Sequence, residues 1–470
     1  MTISRTTNMN RRNFLSQASG VAALPACLSG APKSPQPNII FILTDDQRWD
    51  ALGCLNHPFV KTPNLDRIRR EGALFSNSFV TTSLCSPSRA SFLTGTYAHR
   101  HGVIDNTGRE FEPGKTPSFP ELLQARGYET AFIGKWHMAP HANPRRGFDY
   151  WLSFRGQGVY TDPTLNENGR EFQAKGYITD VLTDSALAWL GRKRDKPYCL
   201  YLSHKAIHEP FTPAERHRDL YRDAKVPEPP NYRDDLSSKP AWQRRRKDQE
   251  EVPAARKLAP WNPKRPDRFM DYYRAIAAVD EGVGRIYSLL ERAGTLDNTI
   301  IAFAGDNGYF KGEHGGRGDK RLAYEESIRI PFLMRYPRLI RPGSTVDEMV
   351  LNIDLAPTLL DLAGAPAHRG MQGRSLRPLF EGRSQGWRDS WLYEYWVDLN
   401  PLLPRMVGVR TRSHKFVRYP DTKDINEMYD LRKDPHELLN VALDPSYASK
   451  KQELENELAR LMHDTGYPQS

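Results

Sequence analysis

Four side chains that carry carboxylate or amide groups follow two separate apolar runs of the sequence. Asp45 and Asp46 come directly after one run, and Asp306 and Asn307 come directly after another. Oxygen ligands of this kind suit a hard divalent cation, whereas zinc and copper favour nitrogen and sulfur. Two adjacent aspartates alone could equally cap a helix or close a turn. The four side chains together predict a site for a hard divalent cation.

A second chemical feature is the segment 85–95, which reads Cys-Ser-Pro-Ser-Arg-Ala-Ser-Phe-Leu-Thr-Gly. It places one cysteine, a proline and an arginine before an apolar stretch and a Thr-Gly end. Most free cysteines are small buried apolar residues, and this is the alternative interpretation of Cys85. The segment resembles the signature of the type I sulfatases, C-x-P-S-R-x-x-x-L-T-G, and matches it at every fixed position.

This resemblance implies that Cys85 is not used as a thiol. In the type I sulfatases a maturation enzyme reads the segment in the unfolded chain and oxidises the cysteine to an aldehyde, formylglycine. The hydrated aldehyde carries two hydroxyls on one carbon, so one can attack sulfur and the other can later collapse to the carbonyl and expel sulfate. We therefore expect a formylglycine-generating enzyme among the partners of this chain.

The resemblance also identifies the expected metal. The residues that match the calcium ligands of the family are Asp45, Asp46, Asp306 and Asn307, and an oxygen of the oxidised Cys85 would join them. A calcium ion (Ca2+) would orient the nucleophile and neutralise sulfate charge.

Three basic residues match family positions that hold anionic groups. Arg89 matches the arginine that holds the hydrated aldehyde, because a guanidinium fork suits paired oxygens. Lys135 and Lys320 match the two lysines that hold the sulfate oxygens. The alternative interpretation is that both lysines are ordinary surface residues without a role in binding.

Two histidines match the acid and the base of the family. His137 matches the base of the release step, and His208, which precedes Pro210 by two residues, matches the acid that protonates the leaving alcohol. Both roles require titration near neutrality, which histidine supplies. His204 is the rival for the acid because it also follows a strand, and its alternative is a structural role.

Four apolar runs must bring these residues together. They are residues 38–44, 129–134, 198–203 and 299–305. Runs of this length are typical of strands buried on both faces of a parallel sheet, and ligands of such sheets bind beyond the carboxyl ends of the strands. The runs predict an α/β sandwich. The resemblance specifies it as the alkaline-phosphatase-like fold, with a large mixed sheet flanked by helices.

The chain divides into three predicted parts. Residues 1–37 form an export signal and linker, residues 38–384 the N-terminal sulfatase catalytic domain, and residues 385–470 a smaller C-terminal subdomain with an antiparallel sheet and a final helix at about 450–463. Residues 221–268 are rich in proline and charge, which indicates either a surface excursion beside the cleft or a disordered insertion.

The amino terminus carries the export prediction. Arg11 and Arg12 form a twin-arginine pattern before a weakly apolar run at residues 20–28, which is too short to span a membrane. The expected partner is the twin-arginine export machinery and the expected location is periplasmic or secreted. Cys27 lies in an imperfect lipobox with Pro25, so lipid attachment is the alternative to simple cleavage. A disordered basic tail is the other alternative.

The charge and cysteine content of the chain limit the classes of binding partner that we expect. The chain has 67 lysines and arginines against 57 acidic residues, a net charge of +10, without a nucleic-acid-binding motif. We therefore expect no nucleic acid partner and a weak preference for an anionic saccharide. Four scattered cysteines are too few for a disulfide framework and lack zinc spacing.

These observations predict an exported, calcium-dependent, formylglycine-bearing sulfatase. Its expected substrate is a sulfate ester on a polysaccharide-derived or glycosaminoglycan-derived sugar. The first alternative is a phosphonate or phosphate ester hydrolase on the same fold. The second is a sulfated-glycan-binding protein in which Cys85 stays unmodified.

Overall fold

The computed structural model describes residues 36–111, 116–248, 267–397 and 403–468. The predicted export signal, including Cys27, lies outside the described residues. Within those described ranges, every helix is too short or too polar to cross a membrane.

The large sheet is built from strands in both halves of the chain. The strands of the molecule are β1 (Asn38–Thr44), β2 (Ala73–Phe75), β3 (Ser78–Phe79), β4 (Glu129–Lys135), β5 (Tyr150–Phe154), β6 (Thr164–Glu167), β7 (Arg170–Gln173), β8 (Tyr198–Ser203), β9 (Thr299–Gly305), β10 (Phe310–Lys311), β11 (Gly318–Asp319), β12 (Phe332–Arg335), β13 (Ser344–Val346), β14 (Val350–Leu351), β15 (Ser390–Tyr395), β16 (Met406–Thr411), β17 (His414–Arg418) and β18 (Glu427–Asp430).

Helices lie between these strands. They are α1 (Pro63–Glu71), α2 (Cys85–Thr94), α3 (Ala98–His101), α4 (Phe119–Gln124), α5 (Ile178–Leu190), α6 (Ala241–Asp248), α7 (Asp267–Arg292), α8 (Glu313–Gly316), α9 (Glu325–Ile328), α10 (Leu355–Leu362), α11 (Arg377–Phe380) and α12 (Ala448–Thr465).

The four predicted strands are neighbours at the centre of a ten-stranded sheet. The order is β13-β2-β12-β9-β1-β8-β4-β5-β6-β7. β9, β1, β8 and β4 run parallel, whereas β12 pairs with β9 in the antiparallel direction, so the sheet is mixed. The carboxyl ends of the four strands therefore meet along one edge.

Helices cover both faces of this sheet because the central strands are apolar on both sides. Ile40 and Ile42 of β1 pack against α1, α5 and α7, and Ile39 and Phe41 pack against α2, α4 and α10 on the other face. All seven residues of β1 are buried. The prediction of an α/β sandwich with a large mixed sheet is confirmed.

The carboxyl-terminal part contains a four-stranded antiparallel sheet in the order β15-β16-β17-β18. Helix α12 packs on it through Leu454 and Leu458, and it extends two residues beyond the predicted helix at each end. The antiparallel sheet and final helix are confirmed. The boundary at residues 384 and 385 stays a prediction.

The proline-rich segment is partly described and carries one helix, α6. Asn231 and Lys239 within it are fully buried, and Lys239 donates to the hydroxyl of Tyr429 at 2.8 Å. This part of residues 221–268 therefore packs against the body of the protein, and residues 249–266 lie outside the described ranges.

Candidate active site

The oxygen-bearing residues meet because β1 and β9 are parallel neighbours. Thr44 pairs with Gly305, so the two residues that follow each strand emerge side by side. The amide of Asp46 donates to Oδ1 of Asp306 at 3.0 Å. The side chains of Asp45, Asp46 and Asp306 bring carboxylate oxygens within 4.8 Å of one another, and all three are buried.

Crowding of these carboxylates shifts their ionisation. Burial, together with the charges of Asp45 and Asp306, raises the pKa of Asp46 to about 7. Burial and Asp45 also raise the pKa of Asp306. Burial opposes ionisation of Asp45 as well, but the charge of Lys135 and other nearby cations hold its pKa well below the usual range. A buried group of like charges of this kind favours a bound cation.

Asn307 fits a metal site through its unused oxygen. Its Nδ2 donates to Oδ1 of Asp46 at 2.6 Å and to the carbonyl of Gly308 at 2.9 Å. Its Oδ1 is buried and accepts no hydrogen bond from the part of the chain that the structure describes. Buried polar atoms normally have a partner. The three carboxylates and this amide oxygen form a donor set that suits calcium.

Cys85 is the first residue of α2 and lies beside the carboxylates. Its thiol donates to Oδ1 of Asp45 at 3.4 Å, and Nζ of Lys320 lies 3.0 Å from its sulfur. The side chain is fully buried. Burial and the charge of Asp45 raise the pKa of the Cys85 thiol to about 12. An unmodified Cys85 would therefore be a protonated thiol at neutral pH.

Arg89 lies one helical turn after Cys85 and joins three strand ends. Its Nε donates to Oδ2 of Asp306 at 2.9 Å. Its Nη1 donates to the carbonyl of Lys135 at 2.7 Å and to Oγ of Ser203 at 2.6 Å. These contacts fix α2 against the sheet edge. The role of Arg89 in holding a hydrated aldehyde stays a prediction.

Both predicted sulfate-binding lysines are buried at the site, so they are not ordinary surface lysines. Nζ of Lys135 contacts Oδ2 of Asp45 and Oε1 of Gln157. Nζ of Lys320 contacts Oδ1 of Asp46. Each ammonium thus lies against one carboxylate of the predicted metal site.

His208 faces the site with one ring nitrogen. Its Nδ1 lies 2.9 Å from the carbonyl of Glu209, an acceptor, so Nδ1 carries hydrogen. Its Nε2 lies 3.8 Å from Oδ2 of Asp46. Burial, followed by the charge of Lys135, lowers the pKa of His208 well below its usual range.

His137 follows β4 and lies beside Ser86, the residue after Cys85. Its Nδ1 is 3.3 Å from Oγ of Ser86, and the same hydroxyl donates to the carbonyl of His137 at 2.6 Å. Its φ of 62° is in the left-handed region, which the hydroxyl contact helps to hold. Burial and the charge of Lys135 lower the pKa of His137.

The rival histidine lies outside this group. His204 is buried, and burial lowers its pKa to about 4, with Asp180 of α5 as the charged group that acts on it. Its Nδ1 has no hydrogen-bond partner among the residues described. The geometry therefore favours His208 over His204 as the acid, and the roles of both remain predictions.

Several residues of the site were not identified from the sequence. They are Asn106, which accepts from the amide of Ser86 at 3.0 Å, Gln157, Tyr160, Ser203 and Lys205. Ser203 and Lys205 lie at the end of a predicted strand, and this position could have identified them as candidate site residues. Asn106, Gln157 and Tyr160 come from loops without periodicity, so nothing in the sequence pattern indicated them.

Comparison with known proteins identifies the family. The sulfatase family model matches residues 37–365, and the model described as N-sulphoglucosamine sulphohydrolase, C-terminal, matches residues 312–464. N-acetylglucosamine-6-O-sulfatase of Bacteroides thetaiotaomicron is 35% identical over 90% of this chain and 85% of its own length.

Solved structures agree with this result. A protein in complex with its substrate D-glucosamine-2-N,6-O-disulfate has a TM-score of 0.83 and 34% identity, over 92% of this chain and 98% of its own. The phosphonate monoester hydrolase of Agrobacterium radiobacter has a TM-score of 0.75 over 92% of this chain and 96% of its own, and at 24% identity this likeness shows the fold alone. The chain belongs to the sulfatase family and is a sulfuric ester hydrolase with the alkaline-phosphatase-like fold.

Proposed function

We propose that this sulfatase hydrolyses the 6-O-sulfate ester of glucosamine or N-acetylglucosamine units derived from sulfated polysaccharides or glycosaminoglycans. The observation that carries this proposal is the 35% identity to an N-acetylglucosamine-6-O-sulfatase over 90% of the chain. The substrate in the similar solved structure, D-glucosamine-2-N,6-O-disulfate, carries a 6-O-sulfate beside its N-sulfate and supports the same sugar.

Calcium and formylglycine are the proposed cofactors. The residues that would hold the metal are Asp45, Asp46, Asp306 and Asn307, and the modified residue would stand at Cys85. When present, these groups would supply positive charge beside the sulfate and the hydroxyl that attacks sulfur.

The basic residues bind and orient the sulfate. Lys135 and Lys320 hold two of its oxygens, because both are buried at the site, at 0% and 5% exposure, and the ammonium of Lys320 lies 3.0 Å from the sulfur of Cys85. Arg89 donates to Asp306 and to the carbonyl of Lys135, and these two bonds keep Asp306 and the start of α2 in place. Buried cations of this kind stabilise anionic charge more strongly than exposed ones.

The histidines divide the proton transfers. His208 passes a proton from Nε2, which faces the site, to the oxygen of the leaving sugar, while its Nδ1 stays bonded to the carbonyl of Glu209. This requires the imidazolium form, which burial and Lys135 oppose and which the negative charge of a bound sulfate would favour. His137, which lies beside Ser86, accepts the proton that the second half of the reaction releases.

Maturation and export complete the proposal. A formylglycine-generating enzyme would act on Cys85 before folding, because the structure buries that side chain completely. The twin-arginine machinery would then export the folded protein to the periplasm or the exterior. The motif at Arg11 and Arg12 supports this route.

The test is turnover against matched esters. We expect release of sulfate from N-acetylglucosamine 6-sulfate and glucosamine 6-sulfate, with at least 100-fold lower kcat/KM on the 3-O-sulfate isomers. 4-Nitrophenyl sulfate should be hydrolysed faster than 4-nitrophenyl phosphate or phenylphosphonate. The Cys85→Ala variant serves as the control for contaminating activity.

Two outcomes would contradict the proposal. Faster hydrolysis of the phosphate or phosphonate esters would support the first alternative instead. Tight binding of sulfated saccharide without turnover, in a sample whose Cys85 peptide retains the thiol mass, would support a glycan-binding protein.

A further inference from the structure

The turn that carries His208 is held by two residues without an assigned role. The hydroxyl of Tyr160 donates to the carbonyl of His208 at 2.6 Å. The amide of His208 donates to the carbonyl of Lys205 at 3.0 Å, which closes the turn. The ring of His208 is then oriented by its Nδ1 contact with the carbonyl of Glu209, so that Nε2 faces Asp46.

Lys205 holds the same turn from its other side. Its Nζ donates to the carbonyl of Glu209 at 3.3 Å, and this oxygen also accepts from Nδ1 of His208. The ammonium also lies 4.7 Å from the ring centroid of Tyr160. Lys205 is 1% exposed, and a buried ammonium requires partners of this kind. Tyr160 and Lys205 thus fix the carbonyls of two consecutive residues.

The position of this turn bears directly on the proposed proton transfer. A general acid must lie within hydrogen-bond reach of the oxygen that it protonates, and a misplacement of about 1 Å can cost about 100-fold in rate. Among the residues that the structure describes, the ring of His208 makes one hydrogen bond, at Nδ1, and its acceptor is the carbonyl that Lys205 also holds. Movement of either carbonyl would therefore move Nε2.

We propose that Tyr160 and Lys205 are positioning residues that hold His208 in line with the leaving oxygen of the substrate. The inference rests on the proposed role of His208 as the acid. Neither residue touches the substrate in this scheme, and both act through the main chain of residues 208 and 209.

A neighbouring tyrosine provides a matched control. Tyr177 stacks on Tyr160 with ring centroids 5.8 Å apart, and its hydroxyl donates to the carbonyl of Thr212 at 2.8 Å. It therefore has the same type of bond to the same loop, four residues beyond His208. Loss of that bond should loosen the loop without turning the His208 ring.

The experiment compares two leaving groups in Tyr160→Phe, Lys205→Met and Tyr177→Phe. Protonation matters for a poor leaving group such as a sugar alcohol and little for an activated phenol. We expect Tyr160→Phe and Lys205→Met to lower kcat on N-acetylglucosamine 6-sulfate about tenfold and kcat on 4-nitrophenyl sulfate less than about twofold. Tyr177→Phe should leave the ratio of the two rates unchanged.

A double-variant cycle shows whether the effect passes through His208. In the His208→Ala background, Tyr160→Phe should cost less than about twofold further on the sugar sulfate, since variants that act through one group are not additive. A full tenfold further loss would overturn the proposal, as would equal losses on both esters in the single variants. If neither His208→Ala nor Tyr160→Phe lowered the rate on the sugar sulfate more than the rate on 4-nitrophenyl sulfate, the role of His208 itself would be wrong. If His208→Ala did so and Tyr160→Phe did not, only the positioning role would be wrong.

Discussion

The ammonium nitrogen of Lys320 lies 3.0 Å from the sulfur of Cys85. A nearby cation normally lowers the pKa of a thiol, yet burial and the charge of Asp45 raise the pKa of Cys85 to about 12. The thiol is therefore a weak nucleophile at neutral pH in spite of its position. The complete motif at residues 85–95 predicts that formylglycine, and not the thiol, is the nucleophile.

The first prediction is that activity follows the oxidation of Cys85. Mass analysis of the peptide that contains it should show the aldehyde or its hydrate, and kcat should rise in proportion to the oxidised fraction across preparations. Cys85→Ala should lower activity at least 1000-fold and the free energy of unfolding by only about 1 kcal/mol, because it removes one buried atom. Full activity in a preparation with only the thiol mass would contradict this prediction.

The second prediction concerns calcium. Removal of metal by a chelator should abolish most turnover and lower Tm, since only the neighbouring basic side chains then offset the repulsion among the three buried carboxylates. Added calcium at 100 times its Kd should restore activity and stabilise the fold by about 2.7 kcal/mol. Elemental analysis should find about one calcium ion per wild-type chain. The Asp306→Asn variant should show no calcium-dependent rise in Tm, and its activity should be at least 100-fold lower than that of the wild type.

Asp280→Asn is the control for the calcium prediction. Asp280 is also a buried aspartate, but it accepts from the amides of Asn64 and Leu65 at 3.0 and 2.8 Å at the start of α1. This variant should have a lower Tm and yet keep the calcium-dependent rise. A calcium response that survives Asp306→Asn and disappears in Asp280→Asn would place the metal elsewhere.

The central sheet could be predicted because its strands are buried on both faces. The apolar runs of β1, β8 and β9 stop where polar residues begin, and the observed bounds agree. β4 ends at Lys135, one residue beyond the predicted run. The backbone of Lys135 pairs with Phe154 of β5, and this pairing extends the strand although the side chain is polar. Periodicity reports burial and cannot report this pairing.

The site was predictable only in the segments that match a motif or follow a strand. Gln157 and Tyr160 reach the site from a loop between β5 and β6, and their partners Lys135 and His208 are 22 and 48 residues away in sequence. The burial of Lys239 in the proline-rich segment likewise depends on Tyr429, 190 residues away. Such long-range contacts leave no local pattern.

The third prediction is a pH-dependent contribution of His99 to stability. Its Nδ1 lies 2.9 Å from Oε2 of Glu394 and its Nε2 lies 3.0 Å from the carbonyl of Thr465. Burial opposes protonation, but the hydrogen bond and charge of Glu394 outweigh it and raise the pKa of His99 above 6.5. The contribution is therefore complete below pH 6.5 and is lost as pH rises through the raised pKa.

His99→Gln tests this linkage, since glutamine can bond but cannot titrate. The wild type should be more stable than the variant by about 2 kcal/mol below pH 6.5, and the difference should shrink at higher pH. Thermal melts from acidic to alkaline pH measure it. His463→Gln, at a side chain 87% exposed on α12, should follow the wild-type curve. A wild-type advantage that grows with pH would reverse the assigned sign.

The fourth prediction separates the proposed roles of His208 and His137. His208→Ala should lower kcat on N-acetylglucosamine 6-sulfate at least 100-fold and kcat on 4-nitrophenyl sulfate less than about tenfold, because only the sugar needs a proton to leave. His137→Ala should slow both esters by similar factors, since its step follows departure of the alcohol. His204 is buried, and the charged group that acts on it is Asp180 and not a residue of the site. His204→Ala should therefore reduce stability and leave the ratio of the rates on the two esters unchanged. If His204→Ala showed the leaving-group dependence instead, the acid would be His204, and the orientation of His208 Nε2 toward Asp46 would need another explanation.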